Sequence, residues 1–366
     1  MNGSTVRIGL DVGEQMTHLC SLNAAGQVQF ECSLPTTVDA VETAIAGLGG
    51  GPPGVIAMEA GSGRFLALAL RASGYDVRVI DARKANKFLS IRLHKTDPND
   101  ARGLAELAML QLSTTPSVHV KSLECQMLRA QLVTRDLMVR QKSGLQNAIR
   151  TRLAENGIIT KLPSPLKVRA TVGHLLEEHA AASGVDLRDE ILPLLEIWDL
   201  MRRYVNKAGR DLERVARDHP VMCRFLAVPG VGPVCAVSVF TAIEDPARFA
   251  RSYDVGAYLG LIPKVKQSGL MIHRGRISKA GSRLTRTHLV MAARVILGRA
   301  KLECALTDWG RGLAQRVGHS KARVAVARKL AVLLVSMWKS GQEFEPYPKL
   351  DRLPSGVTDL DAGHGF

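Results

Sequence analysis

The run Val6-Arg7-Ile8-Gly9-Leu10-Asp11-Val12-Gly13 constrains the fold more than any other segment of the chain. It is a short apolar stretch of strand length that ends in a carboxylate and then in a glycine able to take a tight turn. Two further strand-like runs follow, His18 to Leu22 and Val28 to Leu34, and the turn-rich Asn23-Ala24-Ala25-Gly26 between them reads as a hairpin. A helical pattern (Val38, Val41, Ile45, Leu48) comes next, then Gly49 to Gly54 as a breaker, then Val55-Ile56-Ala57-Met58-Glu59 as a buried strand. The pattern predicts an α/β unit whose first strand begins an antiparallel meander. Asp11 and Glu59 both stand at strand ends. If those strands are neighbours in one sheet, the two side chains emerge on the same edge, the usual place for ligands in open α/β sheets.

Two more acids come from Lys95-Thr96-Asp97-Pro98-Asn99-Asp100-Ala101-Arg102, which reads as a helix start. Asp97 suits the N-cap, Pro98 the first helical position and Asp100 the third, where a carboxylate complements the helix dipole. Taken alone, this pair is a capping arrangement, and strand-end acids are common in turns. Asp11, Glu59, Asp97 and Asp100 gain weight as a set, because they arrive from two strand ends and one helix start within a single unit. Four carboxylates held close together require divalent cations to offset their repulsion. The expected cofactor is Mg2+, two ions ~4 Å apart, with Mn2+ as the alternative; such a pair clamps the attacking and leaving oxygens of a phosphodiester.

The net charge of +15 is unevenly placed. Residues 220–340 carry 20 Lys and Arg against 5 Asp and Glu, whereas the rest of the chain is nearly balanced. Within that segment, residues 255–302 hold ten basic residues and no acidic one. A solvated helix face mixes signs, so this tract predicts contact with phosphate backbones through Lys264, Lys266, Arg274, Arg276, Lys279, Arg283 and Arg286. Just before it, Pro229-Gly230-Val231-Gly232-Pro233 resembles the turn of a helix-hairpin-helix element, whose glycines let backbone amides approach a phosphate.

The six cysteines form no CxxC pair and read as reduced, mostly buried thiols. There is no signal-peptide pattern, and with reduced thiols the expected setting is the cytoplasm. Prolines and glycines interrupt the start of the uncharged run Leu226 to Ile243, which favours a buried loop and helix over a membrane span. Between about Leu123 and Leu212 the chain is helix-rich. Leu128, Leu132, Arg135, Val139 and Lys142 continue one helix, Pro163 and Pro165 break the pattern, and a stripe from Ile191 to Val215 marks a second. Two such helices returning antiparallel would form either an arm for self-association or a bundle capping the first domain.

The order Asp, Glu, Asp, Asp, in the wording GLDVG, MEA and KTDPNDARGLAELA, resembles the transposases of the insertion sequence 110/1111 family, relatives of Piv-type DNA invertases. The likeness continues through LAVPGVGPVCAVSVFTAI, YLGLIPKVKQSG, GRISKAGSRLTRTHLVMAA and VARKLAVLLVSMWKSG, and so spans nearly the whole chain. The resemblance implies a RuvC-like (ribonuclease-H-like) nuclease domain over 1–120, a helical coiled-coil-like arm over 121–217, a mostly helical basic domain over 218–345 and a flexible tail over 346–366.

It implies a DNA transposase with the acidic quartet as metal ligands. Ser268, which on local sequence reads as a turn residue before Gly269, falls on the position of the family's nucleophilic serine. A serine hydroxyl can form a phosphoserine linkage that conserves the bond's energy for resealing. Gln267 departs from the small or acidic residues common at its position, and His273 nearby is a phosphate contact or a bystander. The implied partners are donor and target DNA, a guide RNA encoded by the element, and further copies of the chain in a homodimer or homotetramer, with no membrane. Two other classes compete. The GLDVG start also resembles the phosphate-binding hairpin of actin-like kinases, and the basic tract alone would suit a non-catalytic nucleic-acid-binding protein.

Overall fold

A computed structural model of the chain describes residues 6–48, 54–61, 63–90, 96–110, 117–160, 167–268, 271–299 and 302–348. Most of the Gly49 to Gly54 breaker, Ser62, Lys95, Pro163, Pro165, Gly269 and the end of the tail (349–366) lie outside the described residues. Backbone contacts divide the chain into two compact units, Met1–Ser122 and Leu123–Phe366.

The first unit is a mixed α/β layer structure. Its strands are β1 (Arg7–Val12), β2 (Met16–Leu22), β3 (Val28–Pro35), β4 (Val55–Glu59) and β5 (Val77–Ile80), and its helices are α1 (Val38–Ala46), α2 (Arg64–Ala72), α3 (Ala82–Leu89) and α4 (Asp97–Met109). The sheet order is β3-β2-β1-β4-β5, with β1 antiparallel to β2 and parallel to β4, and β4 parallel to β5. β1 is therefore central, and Ile8, Gly9 and Leu10 at its middle are all buried. Ile8 and Leu10, with Leu19, Ile56 and Met58, pack against Val41 and Ile45 of α1 and Leu66 and Leu70 of α2. The opposite face is covered by α4, where Cys20 and Leu22 meet Ala101 and Ala105, and by α3 with the rest of α4, where Val55 and Ala57 meet Ala85, Leu104 and Ala108. Each fully buried leucine or isoleucine in these layers contributes roughly 1.5–3 kcal/mol. The predicted hairpin forms around Asn23, whose Oδ1 accepts from the backbone N–H groups of Ala25 and Gln27, both at 2.9 Å.

The second unit begins with α5 (Leu123–Glu155), α6 (Val168–Ser183) and α7 (Arg188–Asp218). α5 and α7 run antiparallel. Ile149 and Leu153 near the end of α5 share a core with Ile191, Leu195 and Trp198 near the start of α7, while Leu128 and Leu132 share one with Leu212 and Ala216. Val168, Val172 and Leu176 of α6 fill the first of these cores, so a third helix completes the far end of the pair. At 33 residues, α5 is about 50 Å long.

The remainder comprises α8 (Pro220–Leu226), α9 (Pro233–Ile243), α10 (Val255–Tyr258), the hairpin of β6 (Pro263–Ser268) and β7 (Met271–Ile277), α11 (Arg283–Arg299), α12 (Ala305–Val317) and α13 (His319–Ser340). Every residue of α9 from Cys235 to Ile243 is buried, so the uncharged run is the axis of this core, packed among α8, α11 and α13. Among the described residues no helix is long and apolar enough to cross a membrane. All six cysteines lie among the described residues, and none is in a disulfide. The Pro229 to Pro233 turn is used for packing: Gly230 has φ +78°, and a Cβ there would lie 2.6 Å from the carbonyl oxygen of Ala292 on α11.

Candidate functional site

Strand register brings the N-terminal acids together. β1 pairs with β4 through Leu10 opposite Met58, so Asp11 and Glu59 follow at the same end of adjacent parallel strands. Successive strand residues alternate between faces. Ile8 and Leu10 face α1 and α2, so Asp11 projects with Gly9 toward α4, and Glu59 does so with Val55 and Ala57. Both acids are half-buried. α4 crosses this face with its N-terminus near the same edge, and the point of crossing is Gly9: a Cβ there would sit 2.0 Å from Ala101 O and 2.3 Å from Ala105 N. Absence of a side chain at Gly9 is what lets the helix backbone lie on the strand.

The start of α4 differs by one residue from the sequence expectation. Thr96 is the N-cap, in extended conformation and without a side-chain cap bond, and Asp97 and Pro98 are the first two helical residues. Asp97 is thus not the capping residue. Its carboxylate faces His18 Nε2 at 3.5 Å, and His18 is the β2 residue directly opposite Asp11. His18 therefore belongs to the acidic edge. Its strand was legible in the sequence, but its approach to Asp97 depends on the docking of α4.

One turn into the helix, Arg102 reaches across to β3 and grips Glu31 with both Nε and Nη2, at 3.0 and 2.8 Å to Oε1. This pair ties α4 to β3 on the same side of the sheet as Asp97 and Asp100. Beneath it, burial first and then Glu31 push the Cys20 thiol up to about 12, which keeps it protonated.

Asp11, Glu59, Asp97 and Asp100 thus share one face and one edge of the first unit. Among the described residues no three His, Cys, Asp or Glu side chains are gathered tightly enough to hold a metal ion as they stand. The set is an open convergence of carboxylates rather than a closed cage. Its chemistry nonetheless suits hard divalent cations, which take carboxylate oxygens.

In the second unit Ser268 is the last residue of β6, paired with Met271 of β7, while Lys266 pairs with His273 and Val265 with Arg274. His273 is a residue of β7. The side chains of Lys266, Ser268 and Arg274 lie outside those described. Lys264, Arg276, Lys279 and Arg283 are exposed. Arg286 is different: it is half-buried, and its Nη1 donates to the carbonyls of Leu259, Ala280 and Gly281. It ties loops together, a role that the charge of the tract did not reveal.

An α/β sheet with carboxylates converging at one edge, in a chain whose residues 255–302 carry ten basic residues and no acidic one, fits an enzyme of nucleic-acid phosphodiesters. Residues 8–156 match the DEDD transposase family of insertion sequence IS110, and residues 223–309 match the family described as Transposase IS116/IS110/IS902. The chain is 29% identical over 288 residues to a "Probable family 20 transposase" of Pseudomonas aeruginosa, covering 77% of this chain and 83% of that one. It is 27% identical to the transposase for insertion sequence element IS1111A of Coxiella burnetii, over 89% of this chain and 88% of that one. It is also 27% identical to the transposase for IS1328 of Yersinia enterocolitica, over 76% and 82%. The chain belongs to the IS110/IS1111 family of transposases and is a DNA transposase/recombinase. The DEDD match suggests a RuvC-like first domain and a divalent-metal requirement. The kinase reading gains no support from these relatives.

Proposed function

We propose that this transposase moves an insertion sequence by cutting and rejoining DNA strands, using metal ions held by Asp11, Glu59, Asp97 and Asp100 and the hydroxyl of Ser268 as nucleophile. In this reading the first unit is a RuvC-like (ribonuclease-H-like) nuclease domain, α5 to α7 form a helical arm that serves self-association as a homodimer or homotetramer, and the remainder is a basic transposase domain. The observation that carries the metal assignment is the arrival of all four acids on one face at one edge, from β1, β4 and the first turn of α4.

Mg2+, or Mn2+ in its place, would supply Lewis-acid polarisation of the phosphate and lower the pKa of an attacking hydroxyl. The carboxylates fix the position of that charge, and Gly9 and Arg102 hold α4, which carries two of them, to the sheet. Ser268 Oγ would form a bond to phosphorus as the bond from phosphorus to one deoxyribose oxygen breaks. The released strand end leaves as a hydroxyl carrying the displaced proton, and the phosphate stays on serine. Attack by a DNA hydroxyl on that phosphoserine reverses the exchange and seals a new junction without an external energy source. Lys264, Lys266, Arg274, Arg276, Lys279 and Arg283 would hold the phosphate backbone. A guide RNA encoded by the element would choose donor and target by base pairing, a division of labour in which the protein needs no base-reading helix of its own.

The test is strand cleavage by Asp11→Ala and Glu59→Ala in Mg2+. Both should lose cleavage while keeping a wild-type melting temperature and DNA affinity, because a half-solvated strand-end acid can be removed without opening the core. Full recombination by Asp11→Ala overturns the metal assignment.

A further inference from the structure

Eleven described residues have φ in the left-handed region, and nine of them are glycines. The two exceptions are Glu244, which ends α9, and Lys279, with φ +57°, in the loop between β7 and α11. A side chain at such a φ is strained, and the strain persists only where the surroundings over-determine the backbone.

The surroundings of Lys279 do so. Its N–H donates to Gly260 O at 3.1 Å, and the preceding Ser278 N–H donates to Ile262 O at 2.8 Å. A Cβ at Gly260 would lie 2.2 Å from Ala280 N, and one at Gly281 would lie 2.2 Å from Tyr258 O, so the two loops interlock backbone to backbone. Arg286 closes the arrangement from α11 by donating to the carbonyls of Leu259, Ala280 and Gly281. Glycine stands at both neighbouring positions of positive φ, Gly260 and Gly281, yet not at 279. The exposed lysine occupies the strained position within a tract that holds no acid between residues 255 and 302.

We propose that Lys279 is a phosphate contact whose backbone and Cα–Cβ direction are preset by this locked loop, and that Arg286 is its positioning residue rather than a contact in its own right. A contact fixed before binding loses less conformational entropy when the nucleic acid arrives than one on a mobile loop. The inference rests on the basic tract being the nucleic-acid interface.

The experiment measures binding of the full chain to a fluorescent duplex DNA of arbitrary sequence between roughly 50 and 200 mM salt, together with melting temperature. Lys279→Gly should flatten the slope of log affinity against log salt by about 0.9, and weaken binding about five-fold near 150 mM. It should also melt above Lys279→Ala, which keeps the backbone strain. Arg286→Gln added to Lys279→Gly should leave the slope of the single variant unchanged.

A Lys279→Gly slope equal to wild type, with Arg276→Ala and Arg283→Ala each flattening it, overturns the role of Lys279 and leaves the interface standing. Unchanged slopes in all three remove the interface itself. A further loss of about one unit in the double variant makes Arg286 a contact and ends its positioning role. A Gly variant that melts no higher than the Ala variant removes the strain on which the inference is built.

Discussion

Replacing Gly9 by alanine should displace α4 from the sheet without touching an acidic residue. The new Cβ would stand 2.0 Å from Ala101 O, 2.3 Å from Ala105 N and 3.0 Å from Ala105 Cα. All three are backbone atoms, so no side chain can rotate out of the way. Ordinary contact begins near 3.4 Å, and the helix must therefore withdraw by roughly 1 Å or more, at a cost of about 1–3 kcal/mol. For a domain of this size that lowers the melting temperature by several degrees. Asp97 and Asp100 ride on the same helix, the first one turn before Ala101 and the second next to it, so they retreat from Asp11 and Glu59 together. A displacement of ~1 Å at a reacting centre costs on the order of 100-fold in rate. Single-turnover cleavage in Mg2+ measures the loss, and Mn2+ binding followed by electron paramagnetic resonance measures the weakened site directly. Gly61→Ala is the control, since a Cβ there meets nothing within 4 Å. A Gly9→Ala protein with wild-type stability and cleavage rate would refute the idea that α4 is seated by that glycine.

Arg102→Ala should cost only about 0.5–1 kcal/mol, because the pair with Glu31 is partly exposed, yet reduce cleavage more than a stability loss of that size explains; an unchanged cleavage rate would make the pair purely structural. Thiol labelling of the native protein at pH 8 should modify exposed Cys223 and spare Cys20 and Cys235, both pushed up to about 12, chiefly by burial; rapid labelling of Cys20 would contradict the packing of α4 on β2. Burial, aided by Arg135 and opposed by Asp136, lowers His288 to about 4. The unfolded chain then binds the extra proton first, so this contribution is intact above about pH 6.5 and is lost as pH falls toward 4, amounting to about 3 kcal/mol at most. His288→Leu should flatten the melting temperature over that window, and a profile as steep as wild type would refute the assignment.

The placement of Asp11 and Glu59 could be read from the sequence because each closes an apolar strand, and strand alternation then dictates the face. His18 opens a strand-like run in the sequence, but its register opposite Asp11 and its approach to Asp97 depend on strand pairing and on how α4 lies across the sheet, which no local pattern encodes. The cap of α4 moved from Asp97 to Thr96 because proline is tolerated at either of the first two helical positions, leaving the local signal one residue ambiguous. Arg286 reads as one of a row of cations in the sequence. Only the return of the 259–260 and 280–281 loops onto α11 shows that its guanidinium is occupied by carbonyls. The β6–β7 hairpin was hidden for a related reason: in Lys264-Val265-Lys266-Gln267-Ser268 the alternation is weak, and Val265 is exposed, so no apolar face announced a strand.

The most direct test of the account is covalent trapping on a nicked suicide duplex in Mg2+. Wild-type protein should carry DNA through a bond that survives denaturation and maps to Ser268. Ser268→Ala should bind the duplex with wild-type affinity and trap none, and Asp11→Ala, with Ser268 intact, should also trap none. Trapping that persists in Ser268→Ala, or that proceeds at the wild-type rate in Asp11→Ala, would contradict the pairing of an acidic metal site with a serine nucleophile.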